Sequence, residues 1–222
     1  MNTTALKTAL ITGGAAGIGL GIARKLISDG LRVIVADRDP VACEQAANEL
    51  RHGPVVVLNV NVDSHEGFQR AIDSAVSTYG GVDLLCNSVG FRPIGRIVDI
   101  ALDEWRQAFR SNVDTAFIGA RSVFSSMKER GGGSIVNLAS ISGLAPYVEG
   151  GAYASSKAAL IMLTKVLAME FGPDGIRVNC ICPGSINRDE NTDLPFSHIP
   201  IGRAGTPLDV GSLVSFLASD ES

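Results

Sequence analysis

The stretch from Thr8 to Asp37 constrains the architecture of this chain more than any other. Thr8-Ala-Leu-Ile-Thr12 is an apolar run of strand length. Gly13-Gly-Ala-Ala-Gly17-Ile-Gly19 follows, and then an amphipathic stretch with helical spacing to about Asp29. A second strand, Arg32-Val-Ile-Val-Ala-Asp37, ends in an acid. Strand, glycine loop, helix and strand form a βαβ unit, which requires a parallel sheet covered by helices. The glycines permit a tight turn and let a pyrophosphate approach the backbone at a helix N-terminus. The acid stands where a carboxylate accepts bonds from ribose hydroxyls. Gly13, Gly17, Ile18, Gly19 and Asp37 are therefore candidate contacts for a dinucleotide.

The alternation continues to the end of the chain. Strands are predicted over 55–59, 83–87, 134–138 and 175–182. Helices are predicted over 40–51, 66–79, 103–130, from Tyr153 onward, and after the Thr206-Pro207 cap. No repeat, linker or low-complexity run interrupts the 222 residues, so one domain over 1–222 is expected. The expected class is α/β, a doubly wound parallel sheet in three layers with strand order 3-2-1-4-5-6.

Composition narrows the function. The formal net charge is −4 and no basic stripe is present, which argues against a nucleic-acid partner. No uncharged stretch is long enough to cross a bilayer, and the first residues lack the apolar run of a signal peptide. Cys43, Cys86, Cys180 and Cys182 have no disulfide-framework spacing, and Cys180 and Cys182 alternate on an apparent strand, so both face one way. With three scattered histidines they read as small hydrophobes rather than metal ligands. These features lead us to expect a soluble cytoplasmic protein without a metal.

The chemistry centres on Tyr153-Ala-Ser-Ser-Lys157. At helical spacing the tyrosine and lysine share one face. An ammonium beside a phenol favours the phenolate. At ~4 Å and an effective dielectric of ~20 the interaction is worth about 4 kcal/mol. That is what brings a phenol's ionisation from about pH 10 to near neutrality. Such a group exchanges a proton with an alcohol or carbonyl. Ser140 lies just past the strand 134–138, at the strand end where ligands bind in open parallel sheets.

The glycine order, Thr12-Gly-x-x-x-Gly-x-Gly, together with Ser140, Tyr153 and Lys157, resembles the short-chain dehydrogenases/reductases over nearly the whole chain. The resemblance implies hydride transfer between a nicotinamide dinucleotide and a secondary alcohol or ketone. In that scheme Tyr153 is the acid/base, Lys157 favours its ionised form and holds the nicotinamide ribose, and Ser140 positions the substrate oxygen. The Asn112 backbone carbonyl anchors a relay water. Val62, Asn87, Gly90 and Ile186 are implied cofactor contacts, with Asn87 and Gly90 supplying turn chemistry. Asp37 disfavours a 2′-phosphate, so NAD is expected over NADP. Arg38 pulls the other way, but Ala15 and Ala16 supply no second basic group. Homodimers or homotetramers are the family habit.

Several positions depart from the family pattern. Asn61 stands where an acid is usual, Ser88 where an asparagine is usual, Val89 where an alanine is usual and Arg188 where a threonine is usual. The segment 187–205 reads as a substrate lid. The family pattern also continues into one more strand that has no counterpart before Ser222. Arg92 lies near the expected mouth of the site, where it would meet an acidic substrate group or only solvent. Two alternatives to the NAD-dependent enzyme stay open: an NADP-dependent 3-oxoacyl reductase-like enzyme, and a catalytically silent dinucleotide-binding protein.

Overall fold

A computed structural model describes residues 7–187 and 199–222. Six parallel strands form one sheet: β1 (Thr8–Thr12), β2 (Arg32–Asp37), β3 (Val55–Asn59), β4 (Leu84–Asn87), β5 (Gly133–Leu138) and β6 (Ile176–Ile181). Their order is β3-β2-β1-β4-β5-β6, as expected from the sequence. The helices are α1 (Gly17–Ser28), α2 (Pro40–Leu50), α3 (His65–Tyr79), α4 (Leu102–Phe109), α5 (Thr115–Glu129), α6 (Gly151–Phe171) and α7 (Pro207–Ala218).

Period-two alternation along the strands sorts the core into two layers. Ala9, Ile11, Val33, Val35, Leu84 and Cys86 pack with α1, α2 and α7 on one face. Leu10, Ile34, Leu85 and Ile135 pack with α3, α5 and α6 on the other. Cys180 and Cys182 both pack against Ala116, Ala139 and Leu160. Burial pushes the Cys86 thiol up to about 12 and the Cys180 thiol up to about 11, which keeps both protonated and unreactive.

Local chemistry sets the helix starts. The Asp39 carboxylate accepts from the Val41 and Ala42 N–H groups at the start of α2, with Pro40 in the first turn. Ser64 caps α3 and Thr206 caps α7 in the same way. No side chain caps α1, and its first turn carries no acid. The stretch expected as one helix over 103–130 is interrupted. Residues Arg110–Asp114 form a π-helical turn between α4 and α5. The periodicity continues through it, so the apolar pattern alone does not reveal the turn.

No helix among the described residues is long and apolar enough to cross a membrane.

Candidate active site

The sheet order reverses between β1 and β4, and a cleft of about 1170 Å³ opens over the carboxyl ends of the strands there. Gly13, Gly17, Ile18, Gly19, Asp37, Val62, Gly90, Ser140, Tyr153, Lys157 and Ile186 all line it. Asn87 and Asn112 do not. They stand behind the wall and support it.

At one end the cleft is made of backbone. Gly13 and Gly17 adopt left-handed φ values of 62° and 52°, which suit glycine. A Cβ on Gly19 would lie 2.1 Å from the Gly13 carbonyl oxygen, so a side chain there would push the loop open. The first N–H groups of α1, uncapped by any side chain, are left for an anion. Asp37 Oδ2 accepts from Ala15 N at 3.2 Å, which ties the acid at the tip of β2 to the glycine loop. Val62 is buried, and Ile186 is held by a short parallel bridge to Gly205. Residues with this geometry fit a dinucleotide: an open anion cradle with a carboxylate one strand away.

At the other end the cleft is made of side chains. Lys157 is 3% exposed, and its Nζ donates to the Leu138 carbonyl at the end of β5, at 2.6 Å. That same ammonium stands 5.8 Å from the centre of the Tyr153 ring. The Ser140 hydroxyl accepts from Ser142 N at 3.1 Å, which starts a short 3₁₀ turn over Ile141–Gly143. A Cβ on Gly143 would lie 2.8 Å from the Lys157 carbonyl carbon, so only glycine lets this turn press against α6. That contact fixes Ser140 relative to Tyr153 and Lys157. Within the loop Ala139–Gly143 the sequence picks out Ser140, but nothing in it marks Gly143 as a packing residue.

Asn112 sits in the π-helical turn and is 1% exposed. Its Oδ1 accepts from Phe91 N at 2.9 Å, and its Nδ2 donates to Phe91 O at 2.9 Å and to Ser156 Oγ at 2.8 Å. Ser156 Oγ donates in turn to the Tyr153 carbonyl at 2.8 Å. A chain of bonds thus runs from the loop after β4 to the backbone of Tyr153. Ser156 is the link the sequence does not advertise, since it lies inside the Tyr-x-x-x-Lys spacing with no demand on its type.

Asn87 Nδ2 donates to Asn137 Oδ1 at 2.8 Å, and Asn137 Nδ2 donates to Thr164 Oγ1 at 2.9 Å, pinning β4, β5 and α6 together below the cleft. The φ of Gly90 is not positive, so its backbone conformation does not itself demand glycine. Its bare Cα instead sits beside Asn112 and Lys157, where a Cβ would be 3.5 Å from Asn112 Oδ1 and 3.9 Å from Lys157 Nζ. Asn61 keeps its place on the cleft wall, its Oδ1 accepting from Asp63 N at 3.3 Å. Arg188 and most of the expected lid, residues 188–198, lie outside the described residues. Among those described, no group of three His, Cys, Asp or Glu side chains is placed to hold a metal ion.

The short-chain dehydrogenase family model matches residues 7–195. A 3-alpha-(or 20-beta)-hydroxysteroid dehydrogenase of Mycobacterium tuberculosis is 39% identical over 97% of this chain and 84% of its own length. A trans-4-hydroxycyclohexanecarboxylate dehydrogenase of Sinomonas cyclohexanicum is 35% identical over 97% of this chain and 87% of its own length. The crystal structure of L-sorbose reductase from Gluconobacter frateurii, complexed with NADPH and L-sorbose, superposes with a TM-score of 0.89 and 31% identity, covering 98% of this chain and 91% of that one. A match of this breadth, on a sheet of this order and with a Ser–Tyr–Lys set lining one cleft, leaves one assignment: the chain belongs to the short-chain dehydrogenase/reductase family of nicotinamide-dependent oxidoreductases.

Proposed function

We propose that this enzyme interconverts a secondary alcohol and its ketone with NAD as the hydride partner. The observation that carries the reading is the gathering of Ser140, Tyr153 and Lys157 at one end of a cleft whose other end is an uncapped helix N-terminus with Asp37 beside it.

Gly13, Gly17, Ile18 and Gly19 would hold the pyrophosphate, Asp37 the adenosine ribose, and Val62 the adenine through its backbone. Tyr153, Lys157 and Ile186 would hold the nicotinamide half. Bound there, the nicotinamide supplies or accepts the hydride. The protein's part is to place the substrate and move a proton. Ser140 Oγ donates to the substrate oxygen and orients it. Tyr153 Oη gives a proton to that oxygen in reduction and takes it in oxidation. The buried Lys157 ammonium stabilises the tyrosinate as it forms. The Asn112 side chain holds the loop after β4 against α6, and its backbone carbonyl is proposed to anchor the relay water.

Asp37 favours NAD, because its carboxylate would face a 2′-phosphate with like charge. Arg38, which also lines the cleft, supports the NADP reading, and the sorbose reductase neighbour was solved with NADPH. The substrate is a medium-sized alcohol or ketone. The names of the relatives span a hydroxysteroid, a hydroxycyclohexanecarboxylate and a ketose. Exposed apolar side chains on α5 and α6, among them Phe117, Met162 and Met169, support a homodimer or homotetramer. Four cysteines outside any disulfide suit a reducing, cytoplasmic setting.

The test is nicotinamide absorbance with a panel of these alcohols and ketones. The wild type turns over at least one class, and Tyr153→Phe loses about 10²–10⁴-fold in kcat, the usual share of acid–base catalysis. Near-normal turnover of the variant at saturating cofactor would refute the mechanism.

A further inference from the structure

The charged side chains lining the cleft among the described residues are Asp37, Arg38 and Asp63 toward the adenosine end, and Arg92 and Lys157 toward the catalytic end. Among the described residues the catalytic end is therefore lined by cations and by no acid. Lys157 is buried and bonded to Leu138 O. Arg92 is exposed to the cleft, and it is not a loosely solvated side chain. Its guanidinium carbon lies 5.5 Å from the centre of the Tyr147 ring and 5.9 Å from the centre of the Tyr153 ring. Its Nε donates to Tyr147 Oη at 3.2 Å.

The support behind this stack is also built. Gly95 N donates to Glu149 O at 3.0 Å, joining the loop that carries Arg92 to the loop that carries Tyr147. The Tyr147 ring lies on Gly150, where a Cβ would come within 2.4 Å of it. Arg92 is thus held by one hydrogen bond from its Nε to the Tyr147 hydroxyl and by two aromatic faces, with its terminal NH₂ groups in no ion pair among the described residues. A planar guanidinium fixed through Nε presents those groups as a fork that matches a carboxylate.

We propose that Arg92 docks a carboxylate of the substrate, so that the substrate class is secondary alcohols or ketones bearing a carboxylate across a small ring or short chain from the reacting carbon. The assignment rests on the hydride-transfer reading above, because it places the anion beside Tyr153. A neutral substrate leaves the fork to water, whereas an acid gains charge-assisted bonds that hold its carbonyl toward Ser140 and Tyr153.

Two probes test it: 4-oxocyclohexanecarboxylate and its ethyl ester, reduced by the wild type, Arg92→Gln, Arg92→Lys and, as a charge control farther along the same loop and outside the cleft lining, Arg96→Gln. The readout is the ratio of kcat/KM for the acid over the ester. Arg92→Gln should lower that ratio by about 10- to 100-fold, Arg92→Lys by less, and Arg96→Gln should leave it at the wild-type value. A wild type indifferent to the carboxylate would overturn the proposal. So would a ratio that survives Arg92→Gln, or one that falls equally in Arg96→Gln. Calorimetric binding of cyclohexanecarboxylate and cyclohexanecarboxamide in the presence of NAD repeats the comparison without turnover. A carboxylate preference that disappears in Arg92→Gln supports the docking role even if neither ketone is reduced. Absence of that preference overturns the role, while the hydride-transfer reading stands or falls separately on Tyr153→Phe.

Discussion

The two ends of the cleft are built by opposite means. The dinucleotide end is defined by what the chain leaves out: no side chain on Gly19, no cap on α1, and an acid tied to the loop through Ala15 N. The catalytic end is defined by what the chain packs in. Lys157, Asn112 and Ser156 are polar, almost wholly buried and bonded to one another's neighbours. Removing space should ruin the first end, and removing a polar atom should ruin the second.

The strongest attempt to break this contrast is Gly19→Ala. The new Cβ has a backbone oxygen 2.1 Å away, and backbone cannot turn aside as a side chain can. The variant should lose about 3 kcal/mol or more of stability and at least about 100-fold in NADH affinity, read by urea denaturation and by nicotinamide fluorescence titration. If it binds NADH normally, the loop is not the rigid cradle described above. Asn112→Ala attacks the other end. It leaves the Phe91 N–H and carbonyl without their partner and removes the donor to Ser156. The expected cost is about 2–4 kcal/mol in urea denaturation, with a fall in kcat and little change in NAD affinity. A variant that loses NAD affinity and keeps kcat would mean the two ends are one mechanical unit.

These two residues also show how far the sequence reaches. Glycine at position 19 is legible because the loop between a strand and a helix needs specific bare positions, and a pattern of absences survives in a string of letters. Ser140, Tyr153 and Lys157 stand out in the sequence because the proposed chemistry requires those side-chain types, and all three line one cleft. Asn112 is visible as a residue out of place in a helix, but its three side-chain bonds follow from a π-helical turn that leaves no mark on periodicity. Ser156, Gly143 and the Arg92–Tyr147 stack depend on contacts between segments far apart in the chain. Nothing local demands them, so they emerge only from the packed structure.

A smaller effect sharpens the electrostatics of the dinucleotide end. Asp37→Ser keeps a short polar side chain at the tip of β2 and removes the charge that would face a 2′-phosphate. The ratio of NADP to NAD affinity should rise by about 10- to 100-fold, since Arg38 remains to attract the phosphate. Parallel titrations with the two cofactors measure it. A ratio that does not move would assign cofactor choice to a group other than Asp37.

The smallest expected effect concerns the buttress behind that end. α7 packs Val210 and Val214 into the same cluster as Ile22 and Leu26 of α1, and Ser215 Oγ donates to the Asp29 carboxylate at the far end of α1. α7 therefore buttresses α1, the helix that follows the glycine loop. The start of α7 rests on a capping box: Asp209 N donates to Thr206 Oγ1 at 3.2 Å, and Thr206 N donates to Asp209 Oδ2 at 2.7 Å. Thr206→Ala should cost about 1 kcal/mol, seen as a lower urea midpoint with an unchanged slope. The box also carries a pH signature. The hydrogen bond from Arg203, followed by that from Thr206 N, holds the Asp209 carboxyl at about 2, below its ordinary value of 3.8. A carboxylate depressed in the folded state contributes stability above its unfolded pKa and loses that contribution as the pH falls toward the folded one. The stability gap between wild type and Asp209→Asn should therefore be constant above about pH 5 and shrink between about pH 4 and pH 2. Because the pair is half exposed, salt should narrow the gap as well. If the gap instead persists undiminished at pH 2, the carboxylate's charge contributes nothing to the helix start, and α7 holds α1 through its apolar face alone.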